Sequence, residues 1–320
     1  MRRVLAVQFA PCALFVTGVL ALVRAGSFSG RSDWGAAVPE RPLTAVGALL
    51  VVTACASLLG LLLQPFQVRA VRVLEGYWDR WALTAGLGQL LVQVQRKRWV
   101  ALSERAEKAA LGEAAQRVRA EAQRRLAAHP AEDVLLPTAL GNALRAGELS
   151  AGERYGLTTL ASWPRIYLQV SDRMAEALRS TRDALDSAVN LCWSFLALTG
   201  TGIAALYDER SGWWLCGAGL GFAALAYKGA VTAAQSYSGL MHVTYDLHRF
   251  DLLEALHYPL PTKETEEEVF AGVSDSFAYR QRLDFPYAHP GARPHVEETD
   301  GSAGGRLEDG EPPQRSEQAE

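Results

Sequence analysis

Aspartate, glutamate, lysine and arginine are absent from four stretches of this 320-residue chain: 4–23, 42–68, 187–207 and 211–227. A surface helix of a water-soluble domain keeps a polar face, so these blocks exclude that reading for much of the chain. A run of ~20 uncharged apolar residues is what a helix needs to cross a ~30 Å hydrocarbon core.

Other absences narrow the function. Lysine is scarce, with Lys97, Lys108, Lys228 and Lys263 the only four among 32 basic residues, and the formal charge of −3 gives no reason to expect nucleic acid. The cysteines are few: Cys12, Cys55, Cys192 and Cys216 all lie inside apolar blocks at no metal-binding spacing, and read as free thiols packed among apolar side chains. No His-Glu-x-x-His, Gly-x-Ser-x-Gly or phosphate-loop pattern occurs. The run Gly217-Ala-Gly-Leu-Gly221 sits within the fourth block rather than after a strand. No ionisable residue lies deep in a block, and Pro11 and Pro65 do not make the paired midplane breaks of a transporter. No catalytic, cofactor-binding or metal-ligating residue is therefore singled out, no cofactor is expected, and the chain reads as non-enzymatic.

What is present reads as an all-α integral membrane protein. Four transmembrane helices form two hairpins, at 1–68 and 187–228, around a helical cytoplasmic domain at 69–186. A cytoplasmic helix and extension follow at 229–285, then a disordered acidic tail at 286–320, where few apolar residues remain. The first block, flanked by Arg2, Arg3 and Arg24, resembles a signal peptide, but its length exceeds the ~7–15 residues of such a core, so an uncleaved helix is expected. Orientation follows from the basic residues near the block ends. Nine lie on one side (Arg2, Arg3, Arg69, Arg72, Arg80, Arg173, Arg179, Arg182 and Lys228) and four on the other (Arg24, Arg31, Arg41 and Arg210), which places both termini in the cytoplasm of a plasma-membrane protein.

Within 69–186, Leu83, Leu87, Leu90, Leu91 and Val94 share one helical face, which suits either the membrane surface or a neighbouring helix. A second helix is expected over 99–128, with Arg124 and Arg125 on a solvated face. Pro137 opens another and Gly147 closes it, and Ser150 and Glu153 form a capping box for a helix that ends before Pro164. Ser171 caps a helix running unbroken to Tyr207. Gly200 and Ala204 on the third crossing, with Gly217 and Gly221 on the fourth, have the spacing for close packing. After Lys228 the helical period resumes through Leu240, Val243, Leu247, Phe250, Leu253 and Leu256 and stops at Pro259. That helix carries the one concentration of ionisable residues (His242, Asp246, His248, Arg249, Asp251, Glu254 and His257), read as a polar helix face rather than a metal site.

The segments LPTALGN at 136–142, YGL at 155–157, WPR at 163–165 and DLHRFDLL at 246–253 resemble a group of multi-pass actinobacterial membrane proteins of unassigned function. The resemblance covers about residues 42–261 and implies the architecture without a mechanism. The expected partners are the lipid bilayer, further copies of the chain and a cytoplasmic protein docked on the helical domain. The alternative is an oligomeric channel, similar in helix order to bestrophins, with a passage drawn from Thr44, Thr53, Ser57, Gln64, Asn190, Ser194, Thr199 and Thr201.

Overall fold

The computed structural model describes residues 5–78, 82–108, 112–280 and 287–288, and every regular element among them is helical. A π-helical turn, Leu5–Phe9, leads into α1, Ala10–Arg24. After a loop with one short helical turn comes α2, Pro42–Leu63, with Pro42 in its first turn. Arg41 before it is extended (φ −103°, ψ 135°), the conformation that a following proline favours. A 3₁₀ turn around Pro65 continues the chain into α3, Gln67–Glu75, which Gly76 stops in the left-handed region at φ +97°.

Then follow α4 (Ala82–Glu107), α5 (Glu113–Ala127), α6 (Ala139–Glu148), α7 (Thr159–Ile166), α8 (Asp172–Ala205), α9 (Trp213–Ala255) and α10 (Glu266–Tyr279). Four helical stretches, containing α1, α2, α8 and α9, are long and apolar enough to cross a membrane. On α2 the apolar residues point outward on every side, Leu43 being 84% exposed, Leu49 66% and Leu61 62%, and only Ala56 and Gly60 are buried.

The two longest helices dominate the packing. Ser171 caps α8, its hydroxyl accepting from the Met174 N–H, and no breaker interrupts the next 34 residues. Helix α9 runs for 43 residues without a pause at Lys228. At 1.5 Å per residue they span ~51 and ~65 Å, well beyond a ~30 Å apolar core. They lie antiparallel: Leu185 and Val189 pack with Ala230 and Ala234 near one end, and Ala205 and Leu206 pack beside Leu215 at the other.

The glycines that permit this approach are not the expected ones. A Cβ on Gly200, Gly217 or Gly221 would meet nothing within 4 Å, and Ala204 is exposed. The contact is made by Gly219 against Thr199 and by Gly202, whose added Cβ would lie 3.4 Å from Cys216 Sγ. Each is two residues from an expected position, which on a helix of 3.6 residues per turn is nearly the opposite face. Gly219→Leu should therefore lower the apparent melting temperature in detergent by about 5–10 °C, whereas Gly217→Leu should leave it unchanged; differential scanning fluorimetry of both variants checks the pair.

Several local expectations fail for physical reasons. The helix expected over 99–128 is two, because α4 starts upstream and Gly112, at φ +95°, precedes α5. The two helices pack on each other, with Ala106 and Ala122 buried, and Arg119 Nε donates to the Ala106 carbonyl. Arg124 and Arg125 stay exposed beside Glu121, as expected. Gly147 does not close α6 but lies in its last turn, pressed on Ser238 of α9. No capping box forms. Ser150 Oγ turns back to the Ala146 carbonyl, while Glu153 accepts from Thr159 N and Oγ1 and so satisfies the start of α7 from outside it. Pro164 lies inside α7, not beyond it.

Two cores hold the helical part together. One gathers Leu140 and Leu144 of α6 with Val71, Leu185, Val189, Ala230 and Ala234. The other gathers Leu157, Ile166, Tyr245, Leu252 and Leu253 with Phe270 and Val273 of α10. Both are built on α8 or α9, so the long helices run from the apolar spans into these cores. The acidic tail expected from 286 lies outside the described residues except at 287–288, where Tyr287 stacks on Tyr258 with centroids 5.7 Å apart and Ala288 N donates to the His257 carbonyl. Arg2, Arg3 and Arg80 of the orientation argument also lie outside them.

Candidate functional site

The ionisable residues of α9 form a clasp. Asp246 accepts from Arg154 and, at 2.6 Å, from the Tyr155 hydroxyl, while Arg249 Nε donates to Glu266 Oε1 at 2.8 Å. The Arg249 guanidinium also lies over the Tyr155 and Phe250 rings, 4.2 and 4.3 Å from their centroids. The groups thus tie α9 to the 153–155 turn and to α10. His242 meets Ser150 Oγ at 3.0 Å, and His248 pairs with Asp251. Burial, then the Arg154 charge, push the His242 imidazole below its ordinary range, so at neutral pH it is a neutral hydrogen-bonding group. Among the described residues no three His, Cys, Asp or Glu side chains group as a metal site.

Tyr245 is buried one residue before Asp246. It lies 32 residues beyond Trp213, ~48 Å along α9, and so well outside the apolar block. Its hydroxyl donates to the Thr159 carbonyl at 3.0 Å and sits 2.9 Å from Ser162 Oγ. Burial pushes its phenol up to about 12 from an ordinary 10.0, although the Ser162 and Thr159 bonds pull the other way. An unfolded tyrosine ionises near pH 10 while the folded one keeps its proton. Stability from this group is therefore complete below pH 10 and lost as pH rises towards 12, amounting to about 2–3 kcal/mol. Tyr245→Phe should flatten the alkaline limb of a detergent unfolding titration, leaving the slope from Tyr237, Tyr155 and Tyr77, which burial moves in the same direction.

A further ionisable group sits where α3 meets α6 and α8. Burial raises both Glu75 and Glu148, and for Glu75 the Glu148 charge adds to it; Arg72 and Arg182 oppose the shift at both, and Arg145 at Glu148. Sequence reading missed this pair, because nothing in the spacing of 75 and 148 announces that they meet.

The eight candidate passage residues do not come together. Thr44, Thr53 and Thr201 donate to carbonyls of their own chain three or four residues back, a usual behaviour of hydroxyls on apolar helices, and Ser57 and Gln64 are exposed on the α2–α3 stretch. Thr199 is buried against Gly219. Asn190 and Ser194 instead line a cavity of about 310 Å³ between α1, α2, α3 and α8. Gln8 and Gln67 line it too, within walls that are otherwise apolar: Phe15, Leu59, Leu63, Phe66 and Trp193 among others.

The cavity is held open by cross-links. Asn190 Nδ2 donates to the Val7 carbonyl at 3.0 Å, in the π-helical turn, and Trp193 Nε1 donates to the Ala70 carbonyl at 3.2 Å. Gln67 Nε2 is buried, with no hydrogen-bond partner among the described residues. The signal for this site was in the sequence: the four apolar blocks hold four carboxamides, Gln8, Gln64, Gln67 and Asn190, and three of them face one space. Such a lining could hold a mostly apolar molecule with a hydrogen-bond acceptor.

No protein-family model matches the chain, and neither a curated protein nor a solved structure does. The resemblance to the actinobacterial multi-pass group rests on the four quoted motifs alone.

Proposed function

We propose that this chain is a non-enzymatic plasma-membrane scaffold or regulator, with two transmembrane hairpins, both termini cytoplasmic, and a cytoplasmic helical domain that docks a protein partner. The membrane part of this reading is supported by α2. Its outward Leu and Val side chains, exposed at 50–80% for the most part, are not covered by any of the described residues, and hydrocarbon is the solvent in which that costs nothing. The docking part is supported by α4. That helix turns Gly88, Gln95 and Trp99 toward the rest of the protein, Gln95 and Trp99 bonding the carbonyls of Pro137 and Pro130, and presents Leu87, Leu90 and Val94 outward at 52%, 62% and 43% exposure.

An exposed apolar stripe on a helix whose charges all lie beyond it, at 96–107, is the shape that a helical partner covers. The triple change Leu87→Glu, Leu90→Glu and Val94→Glu should abolish co-purification of that partner from mild detergent while leaving the helical circular dichroism intact. Co-purification that survives the change would remove α4 as the docking face. The bestrophin-like channel draws no support from the scattered polar residues; ion flux in liposomes that disappears on substituting Asn190 or Ser194 would restore it.

A further inference from the structure

We infer that the cavity between α1, α2, α3 and α8 holds one acyl chain of a glycerophospholipid, with the lipid's ester carbonyl on Gln67 and its phosphate on the arginines just beyond. The inference rests on the membrane reading above, since only a bilayer delivers this ligand sideways, but it does not depend on which side is cytoplasmic.

Size comes first. About 310 Å³ is at the lower end of ligand sites, and at the ~30 Å³ that a water takes in the liquid it holds about ten methylenes, part of one chain and no headgroup. Its walls of Phe15, Leu59, Leu63 and Phe66 suit that occupant. Polarity comes second. A buried amide N–H without an acceptor is costly, and hydrocarbon offers it none. The Gln67 amide is such a donor, and the ester carbonyl is the acceptor that a lipid brings to the edge of the hydrocarbon core.

Depth agrees. Asn190, on the cavity wall, lies four residues above Asp186, ~6 Å along α8 from the end of the uncharged block, the level at which ester groups begin. Charge comes last. Arg69, whose guanidinium lies 5.8 Å from the centroid of the lining Phe66 ring, and Arg72 one turn further are both exposed just outside the core, where a phosphodiester sits.

Native mass spectrometry of the full chain, released from nanodiscs of mixed phosphatidylglycerol and phosphatidylethanolamine, tests this directly. One phospholipid should remain on each chain at collision energies that strip the rest. Gln67→Leu keeps the volume and removes the donor, and should lower that occupancy about fivefold. Ser194→Phe fills the space and should lower it more than tenfold. Circular dichroism and a monodisperse elution profile establish that both variants are folded. Folded parent protein carrying no retained lipid would overturn the inference, and so would retention unchanged in both variants, which marks ordinary boundary lipid. A chain that partitions out of the membrane altogether would instead refute the membrane reading.

Discussion

Gly147→Leu is expected to cost about 3 kcal/mol or more, a large share of the ~5–15 kcal/mol that holds a domain folded. A Cβ at Gly147 would come within 2.8 Å of Ser238 Cα, Cβ and Oγ together. One of those atoms is backbone, in the middle of the 43-residue α9, so no side-chain rotation relieves the clash. The closeness also makes a bond: Ser238 Oγ donates at 2.6 Å to the carbonyl of Ala143, one turn earlier on α6. Pushing the helices apart breaks that bond and opens the core formed by Leu140, Leu144 and Ala234. Gly239→Leu is the control, because a Cβ there meets nothing within 4 Å. Thermal unfolding in detergent should show a large loss for the first and little change for the second. Equal melting temperatures would mean that α6 does not sit against α9 as described.

Phe270→Ala should have an effect of similar size but a different kind. The ring is fully buried beside Phe250, with centroids 5.9 Å apart, and truncating a buried phenylalanine costs about 3–5 kcal/mol. Helix α10 packs mainly on α7 and the 153–155 turn, so that cost falls on one terminal element rather than on the whole fold. Detachment of α10 is the expected result, read as rapid proteolysis in the 259–265 link with melting of the remainder little altered. Gly156 makes the same junction sensitive from the other side. It stands at φ +82° with its added Cβ 2.5 Å from the Glu267 carbonyl, so a side chain there meets both strain and α10.

What the sequence showed and what it hid divide along range. The four apolar blocks, the cap at Ser171 and the unbroken α8 were legible because each is a local pattern. The helix through Lys228 was only half legible: a single lysine at the end of an apolar block reads as a boundary, yet it interrupts no backbone bond. Gly147, read as a helix end, and Gly217 and Gly221, read as the close contact that Gly219 makes, were misread for one reason. A glycine signals helix ends and close approaches alike, and only the partner helix, distant in sequence, decides which applies. Glu153 shows the same limit, for its carboxylate caps the start of α7 six residues on instead of closing a box with Ser150. Of the cavity, the carboxamides of the apolar blocks were visible, but their convergence depends on how α1, α2, α3 and α8 pack.

Topology tests the account most directly, and the fold makes the test sharp. Ser32 N donates to Glu209 Oε2 at 3.1 Å, which joins the loop before α2 to the loop between α8 and α9 and puts Ser32 and Ser211 at one end of the molecule. Ser150 lies at the other end, beside His242. With the parent chain as the blank, cysteines introduced at Ser32 and Ser211 should both react with a membrane-impermeant thiol reagent on intact cells, and one at Ser150 should react only after permeabilisation. Labelling of Ser150 in intact cells would contradict the account.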